Sequence, residues 1–452
     1  MRKLSSVGVC LLIILASPLF GDGPLLAQNV PAPGSLKRVV ILSRHGVRSP
    51  TPDPDTLKQW RSDPTPLWPD WQQAPGYLTK AGAELAEKMG EYYRNRYANL
   101  FVPGDCPDHV FIWADRDERT VITAQALASG LTNPENKTPQ CRFAIYESAE
   151  QPDPIFHPTQ SKGSTPKCRF NADKVREAVG DFNAKLCEQY SQQLNQEQGV
   201  LKCCASSLCD STCSKQPDGR CGAAAPGCNL NNVPSCLQVS GDSTQASFQG
   251  RWGIGQSFAE ILLLEYENGF EGSDLGFGKV TQEDDVLRIL PLHTGAFNAL
   301  QRANYVDWRQ GANLLYHLTY AIVNGSDPGI GGEENKFIAY VGHDTNIANL
   351  AELLGLNWQV GTYPKNDIPP TSALIFELRD VQGALSVYAS YAAQTLEGDG
   401  QRVNPVPLPT SIPISKCVNM SRDGSCPLGS FATLVKQALH FDENRDCITD
   451  WK

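Results

Sequence analysis

Three short, nearly uninterrupted apolar runs each end in a cluster of charged residues and then give way to a helical pattern. This alternation constrains the fold more than any other feature of the chain. The runs are Arg38–Leu42, Val110–Ala114 and Phe337–Val341. Apolar runs of this length, with no polar alternation, are the mark of strands covered on both faces. After the first run and a Pro- and Trp-rich loop, apolar residues at Ala83, Leu85, Ala86, Met89, Tyr93 and Tyr97 predict a helix from about Thr79 to Tyr97, capped by Thr79. Val121, Ala124, Leu127, Ala128 and Leu131 predict a helix after the second run; Ile347, Leu350, Leu353 and Leu354 predict one after the third. A fourth strand is expected at Ala373–Leu378, with a partner near Leu385–Tyr391. Strand then helix, three times over, implies an α/β fold: a mixed, largely parallel sheet flanked by helices on both faces.

Between the second and third runs the pattern changes. Residues 170–325 read mainly as helices, at Lys174–Tyr190, Trp252–Asn268, Gly295–Gln301 and Gly311–Val323. The expected organisation is a discontinuous α/β domain over residues 28–150 and 285–452, with a smaller, mainly helical inserted domain over 151–284. Within the insertion, Cys203–Cys236 holds seven cysteines among Gly, Pro, Ser and Asn. Such a stretch cannot bury a core of its own and reads as a stapled surface excursion at 200–236. The Gly-rich stretch Asn324–Asn335 matches no phosphate-cradling Gly pattern and reads as an exposed loop.

The N-terminus has the form of an export signal: Arg2 and Lys3, an apolar run from Val7 to Leu15, and a small-residue exit near Ala27. That run is too short to span a bilayer, and no later stretch is long enough. The expectation is a secreted or periplasmic chain without a membrane partner. Of 15 cysteines, Cys10 falls in the signal, leaving 14 and up to seven disulfides. The net charge is −10, from 39 basic and 49 acidic side chains. Losing Arg2, Lys3 and Asp22 with the signal makes it −11. A general nucleic-acid partner is therefore excluded, and binding an anionic substrate requires positive charge gathered locally. No metal-ligand spacing occurs among the cysteines and scattered histidines, so no metal site is expected.

That positive charge follows the three strands. Arg44-His45-Gly46-Val47-Arg48 comes after the first, Asp115-Arg116-Asp117-Glu118-Arg119 after the second, and His343-Asp344-Thr345 after the third. In open α/β sheets, ligands bind beyond the carboxyl ends of the strands, so the three clusters converge on one crevice. Converging arginines suit a small anion with several oxygens, above all phosphate. A neutral imidazole among them can attack phosphorus, and surrounding positive charge keeps it neutral. A neighbouring carboxylic acid can protonate the leaving alcohol and then activate water. Gly46 is expected where the backbone passes close to a bound group. His109, His157, His293, His317 and His440 are read as structural or exposed.

The run from Arg44 to Thr51, together with the distant Gly342-His343-Asp344-Thr345-Asn346, resembles the histidine acid phosphatase family, most nearly its bacterial periplasmic phytase and acid phosphatase branch. Trp68-Pro69-x-Trp71, Leu78-Thr79-x-x-Gly82, Ala114-Asp115-x-Asp117-Glu118-Arg119-Thr120 and Pro152–Phe156 extend the likeness over most of residues 38–450. The resemblance implies an acid phosphomonoester hydrolase, working without metal or organic cofactor at a site between an α/β and a helical domain, with phytate (myo-inositol hexakisphosphate) and other phosphomonoesters as its expected substrates. It implies His45 as phosphorylated nucleophile and Asp344 as proton donor. It assigns Arg44, Arg48, Thr51, Arg119 and His343 to the phosphate, with Asp115, Glu260 and Thr345 in or beside the substrate pocket. Disulfides Cys106–Cys141, Cys168–Cys447 and Cys417–Cys426 are likewise implied, the other eight cysteines staying unassigned. The chain departs from the family at Pro52, where a basic residue is common, and in the length of the cysteine excursion; both bear on substrate preference.

A sugar-phosphate phosphatase, such as one acting on glucose 1-phosphate, is the alternative within the family. A non-catalytic phosphate-binding protein is the alternative from another class; it would need the arginines but not both His45 and Asp344. A serine esterase fails for want of Gly-x-Ser-x-Gly. A monomer is expected.

Overall fold

The computed structural model describes residues 33–100, 109–132, 143–162, 166–210, 213, 221, 227–329, 334–397 and 402–449. The export signal at 1–27 and the Cys106–Cys141 pairing lie outside them. In chain order the main sheet comprises β1 (Ser35–Arg44), β2 (Val110–Ala114), β3 (Ile145–Tyr146), β4 (Phe337–Gly342), β5 (Ala373–Val381), β6 (Ala384–Ala393), β7 (Leu408–Ile412) and β8 (Cys426–Pro427). Hydrogen bonds order them β8-β6-β5-β1-β4-β2-β3, with β7 also on β6. The sheet is mixed. β1, β4, β2 and β3 run parallel, and β5 to β8 are antiparallel additions beyond β1. All three charged clusters follow strands of the parallel half, and the register brings Arg44 opposite Gly342 and Ala114 opposite Val341.

Alternate residues of β1 enter different cores, which is why its run is apolar throughout. Val39 and Ile41 join Ile112, Ala339 and Val341 beneath Met89, Tyr93 and Leu127. Val40 and Leu42 join Phe111, Tyr340, Leu314 and Ile347 on the other face. Each of these four β1 side chains is essentially inaccessible, a burial that stabilises by about 1.5–3 kcal/mol per residue.

The first face is covered by α1 (Lys80–Arg96) and α2 (Glu118–Leu131). As expected, Thr79 caps α1, its hydroxyl accepting from Gly82 N at 3.0 Å. The helical stretch expected at Lys174–Tyr190 is interrupted: one helix ends at Val179, Gly180 adopts φ +61°, and α3 (Phe182–Leu201) starts afresh. A positive φ at no steric cost is what glycine offers a helix end. α4 (Arg251–Glu267) is close to its expected span, α5 (Pro291–Gln301) and α6 (Val306–Asn324) each start more than a turn before the expected Gly295 and Gly311, and α7 (Asp344–Leu354) leads away from β4.

The cysteines pair as Cys168–Cys447, Cys417–Cys426, Cys187–Cys221, Cys209–Cys228, Cys213–Cys236 and the adjacent Cys203–Cys204. The first two are the pairings the family resemblance implied. The next three staple the excursion to itself and, through Cys187, to α3. No helix among the described residues is long and apolar enough to cross a membrane.

Candidate active site

His45 lies immediately beyond β1, 2% exposed. Its Nδ1 is 2.8 Å from the carbonyl oxygen of Gly46. A carbonyl only accepts, so Nδ1 carries the hydrogen and Nε2 keeps its lone pair. Burial first, then the charges of Arg119, Arg44 and Arg48, hold the imidazole well below its ordinary pKa. His45 is thus a neutral base with a free ring nitrogen.

Gly46 is hemmed in by protein backbone. A Cβ there would stand 2.6 Å from the carbonyl oxygen of Gly82, in the first turn of α1. Its backbone N–H donates to Thr123 Oγ1 at 2.9 Å. The two glycines let the motif lie directly on the start of the helix, where the facing backbone leaves no room for a Cβ at either.

Arg44 is buried between acceptors: it donates to Ile368 O and Glu260 Oε1 and pairs with Asp344 Oδ2 at 3.0 Å. Arg48 donates to the other oxygen of Glu260 at 3.0 Å. Glu260, on α4, therefore does not border the site so much as bridge two of its arginines. Burial pushes its carboxyl up, but Arg48 and Arg44 outweigh this and hold it well below the carboxylate range. Arg119, at the start of α2, pairs with Asp117 Oδ2 at 2.5 Å. The Nε–H groups of Arg44, Arg48 and Arg119 are buried without a partner. Three unsatisfied buried donors favour a multi-oxygen anion.

His343 and Asp344 open α7. His343 N donates to Asn346 Oδ1 at 2.8 Å, and Asp344 Oδ1 accepts from Thr345 N at 2.8 Å. The His343 ring meets that of His45 edge-on, centroids 5.5 Å apart. A cavity of about 260 Å³ is lined by His45, Arg48, Arg119, His343, Asp344 and Thr345, together with Gln160, Gln245, Gln301 and Gln310. Thr51 is exposed on the following loop; it and Arg119 both pack against Gly76. Asp115 lies behind, 2% exposed, its Oδ2 2.5 Å from His343 Nε2.

The sequence reading missed His157. Its Nε2 is 2.9 Å from the same Asp115 oxygen, and it lines the cavity. Nothing in its Phe-His-Pro context marks it, because only the packing of the loop brings it there. Among the described residues, Asp115, His157 and His343 are the one His/carboxylate group of metal-ligating type, with donor atoms within 4.8 Å of one another. Their donors are already engaged with each other, and Arg119 Nη2 stands 3.4 Å from His343 Nδ1, a poor neighbour for a cation.

A neutral imidazole with a free nitrogen, arginines around it and a carboxyl beside it, at the strand ends of an α/β sheet, define a phosphomonoester hydrolase site. Residues 35–217 match the histidine phosphatase superfamily (branch 2). Phytase AppA of Escherichia coli (strain K12) is 31% identical over 89% of this chain and 92% of its own. A glucose-1-phosphatase of Providencia rettgeri is 26% identical over 77% of each chain. Among solved structures, the Hafnia alvei phytase in complex with myo-inositol hexakis sulphate aligns with a TM-score of 0.73 at 29% identity, over 93% of this chain and all of the other. The chain belongs to the histidine phosphatase superfamily, branch 2, and is a histidine acid phosphatase, a hydrolase of phosphomonoesters.

Proposed function

We propose that the enzyme works through a phosphohistidine at His45 and that phytate is among its substrates. The observation carrying this reading is the His45 ring: Nδ1 tied to Gly46 O, Nε2 free, three arginines holding it neutral. Nε2 attacks phosphorus and the P–O bond to the leaving alcohol breaks. Asp344, fixed by Arg44 at 3.0 Å, gives that alcohol its proton. It then takes a proton from the water that cleaves the P–N bond, releasing phosphate and restoring both groups. Arg44, Arg48, Arg119 and His343 hold the transferring oxygens, with Thr51 and Thr345 at the rim, Asp115 orienting His343, and Glu260 aligning two guanidiniums. Residues 151–284 form the substrate-side, mainly helical part, as the Glu260 contacts from α4 suggest. The six disulfides among the described residues suit an exported enzyme.

Phytate is supported by the phytase relatives. A sugar phosphate is favoured by one observation: Gln160, Gln245, Gln301 and Gln310 line the cavity with amides that suit hydroxyl groups, and no lysine lines it beside Arg48 and Arg119. His45→Ala tests the mechanism. Turnover of p-nitrophenyl phosphate should be abolished with the melting temperature kept; substantial residual turnover rejects the phosphohistidine. Comparing kcat/KM on phytate and glucose 1-phosphate decides the substrate, a higher value for glucose 1-phosphate overturning the phytate reading.

A further inference from the structure

One carboxylate oxygen behind the arginine cluster serves two imidazoles. Asp115 Oδ2 lies 2.5 Å from His343 Nε2 and 2.9 Å from His157 Nε2, while Asp115 Oδ1 accepts from Arg116 N. A carboxylate accepts, so each Nε2 carries its hydrogen. The other nitrogen of His343, Nδ1, faces the Arg119 guanidinium at 3.4 Å. A guanidinium only donates, so a neutral His343 presents a lone pair on that side. A lone pair cannot hold a phosphate oxygen; His343 must take a second proton to do so.

We propose that His157 is a positioning residue that controls whether His343 carries this second proton, and so the pH range over which the pocket holds phosphate; this rests on the phosphate-binding reading above. The loop bearing His157 is built for the contact. Asn346, which accepts from His343 N, donates through Nδ2 to Phe156 O at 3.0 Å. Asp153 O accepts from His157 N at 2.8 Å, and the Asp153 side chain is held by Trp113 Nε1 at 2.8 Å. One wall thus fixes both histidines, their ring centroids 5.1 Å apart.

The charged groups facing His157 are Asp115 and Asp117 after β2, Asp153 in its own loop, and His343 at the start of α7. Burial lowers the His157 pKa, but the hydrogen bond and charge of Asp115 outweigh burial and leave it raised. His343 is lowered, by burial first, with Asp115 opposing and Arg119 and His157 adding to the effect. As pH rises, His343 therefore loses its second proton while His157 keeps its own. A cationic His157 draws on the Asp115 charge and repels a second positive ring. Without that cation, Asp115 would serve His343 alone.

The test is His157→Gln, which keeps an N–H donor and removes the charge, read by nitrogen-15 histidine spectra of the whole chain; only seven histidines are present, and His343→Gln assigns the signal. In the wild type, neutral His343 should report hydrogen on Nε2. In His157→Gln its apparent pKa should rise by about one unit, tenfold in proton affinity. Competitive inhibition by inorganic phosphate should persist to correspondingly higher pH. Hydrogen on Nδ1 of wild-type His343, or an unchanged His343 titration in a folded variant, overturns the proposal. The tautomer is read on the wild type and so survives a variant that fails to fold. A wild type that hydrolyses no phosphomonoester would sink the functional reading, while the His343 titration would still judge His157.

Discussion

Replacing Glu260 by Gln separates the arginine bridge from everything else at the site. The carboxylate gives one oxygen to Arg44 and the other to Arg48, at 3.0 Å in the latter case, with Arg44 1% and Arg48 6% exposed. Glutamine keeps the shape but offers one acceptor and one NH₂, and a donor facing a guanidinium is repelled. At least one arginine loses its acceptor, and both lose the charge. A hydrogen bond to a charged group contributes about 1.5–3 kcal/mol. Breaking a buried pair from one side costs about 3–5 kcal/mol. Allowing for the contact glutamine retains, the variant should lose about 3 kcal/mol. The pKa of Glu260 is depressed in the folded protein, so its stabilisation is fully present above the ordinary carboxyl pKa. It is lost only as pH falls through the depressed value. The difference from wild type should hold at pH 6 and shrink only in strong acid. Inorganic phosphate supplies the missing negative charge, so saturating phosphate should narrow the gap. Urea unfolding followed by tryptophan fluorescence measures all of this. A variant as stable as wild type at pH 6, or a gap that phosphate leaves unchanged, refutes the bridge.

Asp344→Asn should slow alkyl phosphates, which need a proton for departure, at least tenfold more than p-nitrophenyl phosphate; parallel losses in kcat for both would remove Asp344 as the acid. Gly46→Ala forces a methyl against the Gly82 carbonyl, 2.6 Å away. It should cost about 1–3 kcal/mol and lower kcat by about 10²-fold through the displaced His45 ring, checked by chemical unfolding and steady-state kinetics. Removing Cys168–Cys447, which closes a separation of 279 residues, should cost about 5–6 kcal/mol by loop entropy. A paired serine variant melting like wild type would contradict that.

The strands, the first helix and its Thr79 cap were legible because each rests on local patterning: period, propensity and capping act within a few residues. Even the gathering of Arg44, His45, Arg119, His343 and Asp344 could be read, since a parallel sheet carries its strand ends to one edge. The break at Gly180 was missed because apolar spacing runs on across it, and only the backbone angle stops the helix.

The motif at His45 and its two distant partners are thus properties of the sequence. What only the tertiary structure decided is how those groups are held. Glu260 reaches Arg44 across 216 residues, and Asp115 reaches His343 across 228. Gly46 is required by the helix it rests on, four cysteine pairings follow from how the excursion folds against α3, and His157 enters through a loop with no distinguishing pattern. Contacts between remote segments depend on how whole elements pack, and spacing along the chain carries no record of that. The chemistry was written locally; the charge balance that sets its protonation states was settled by packing.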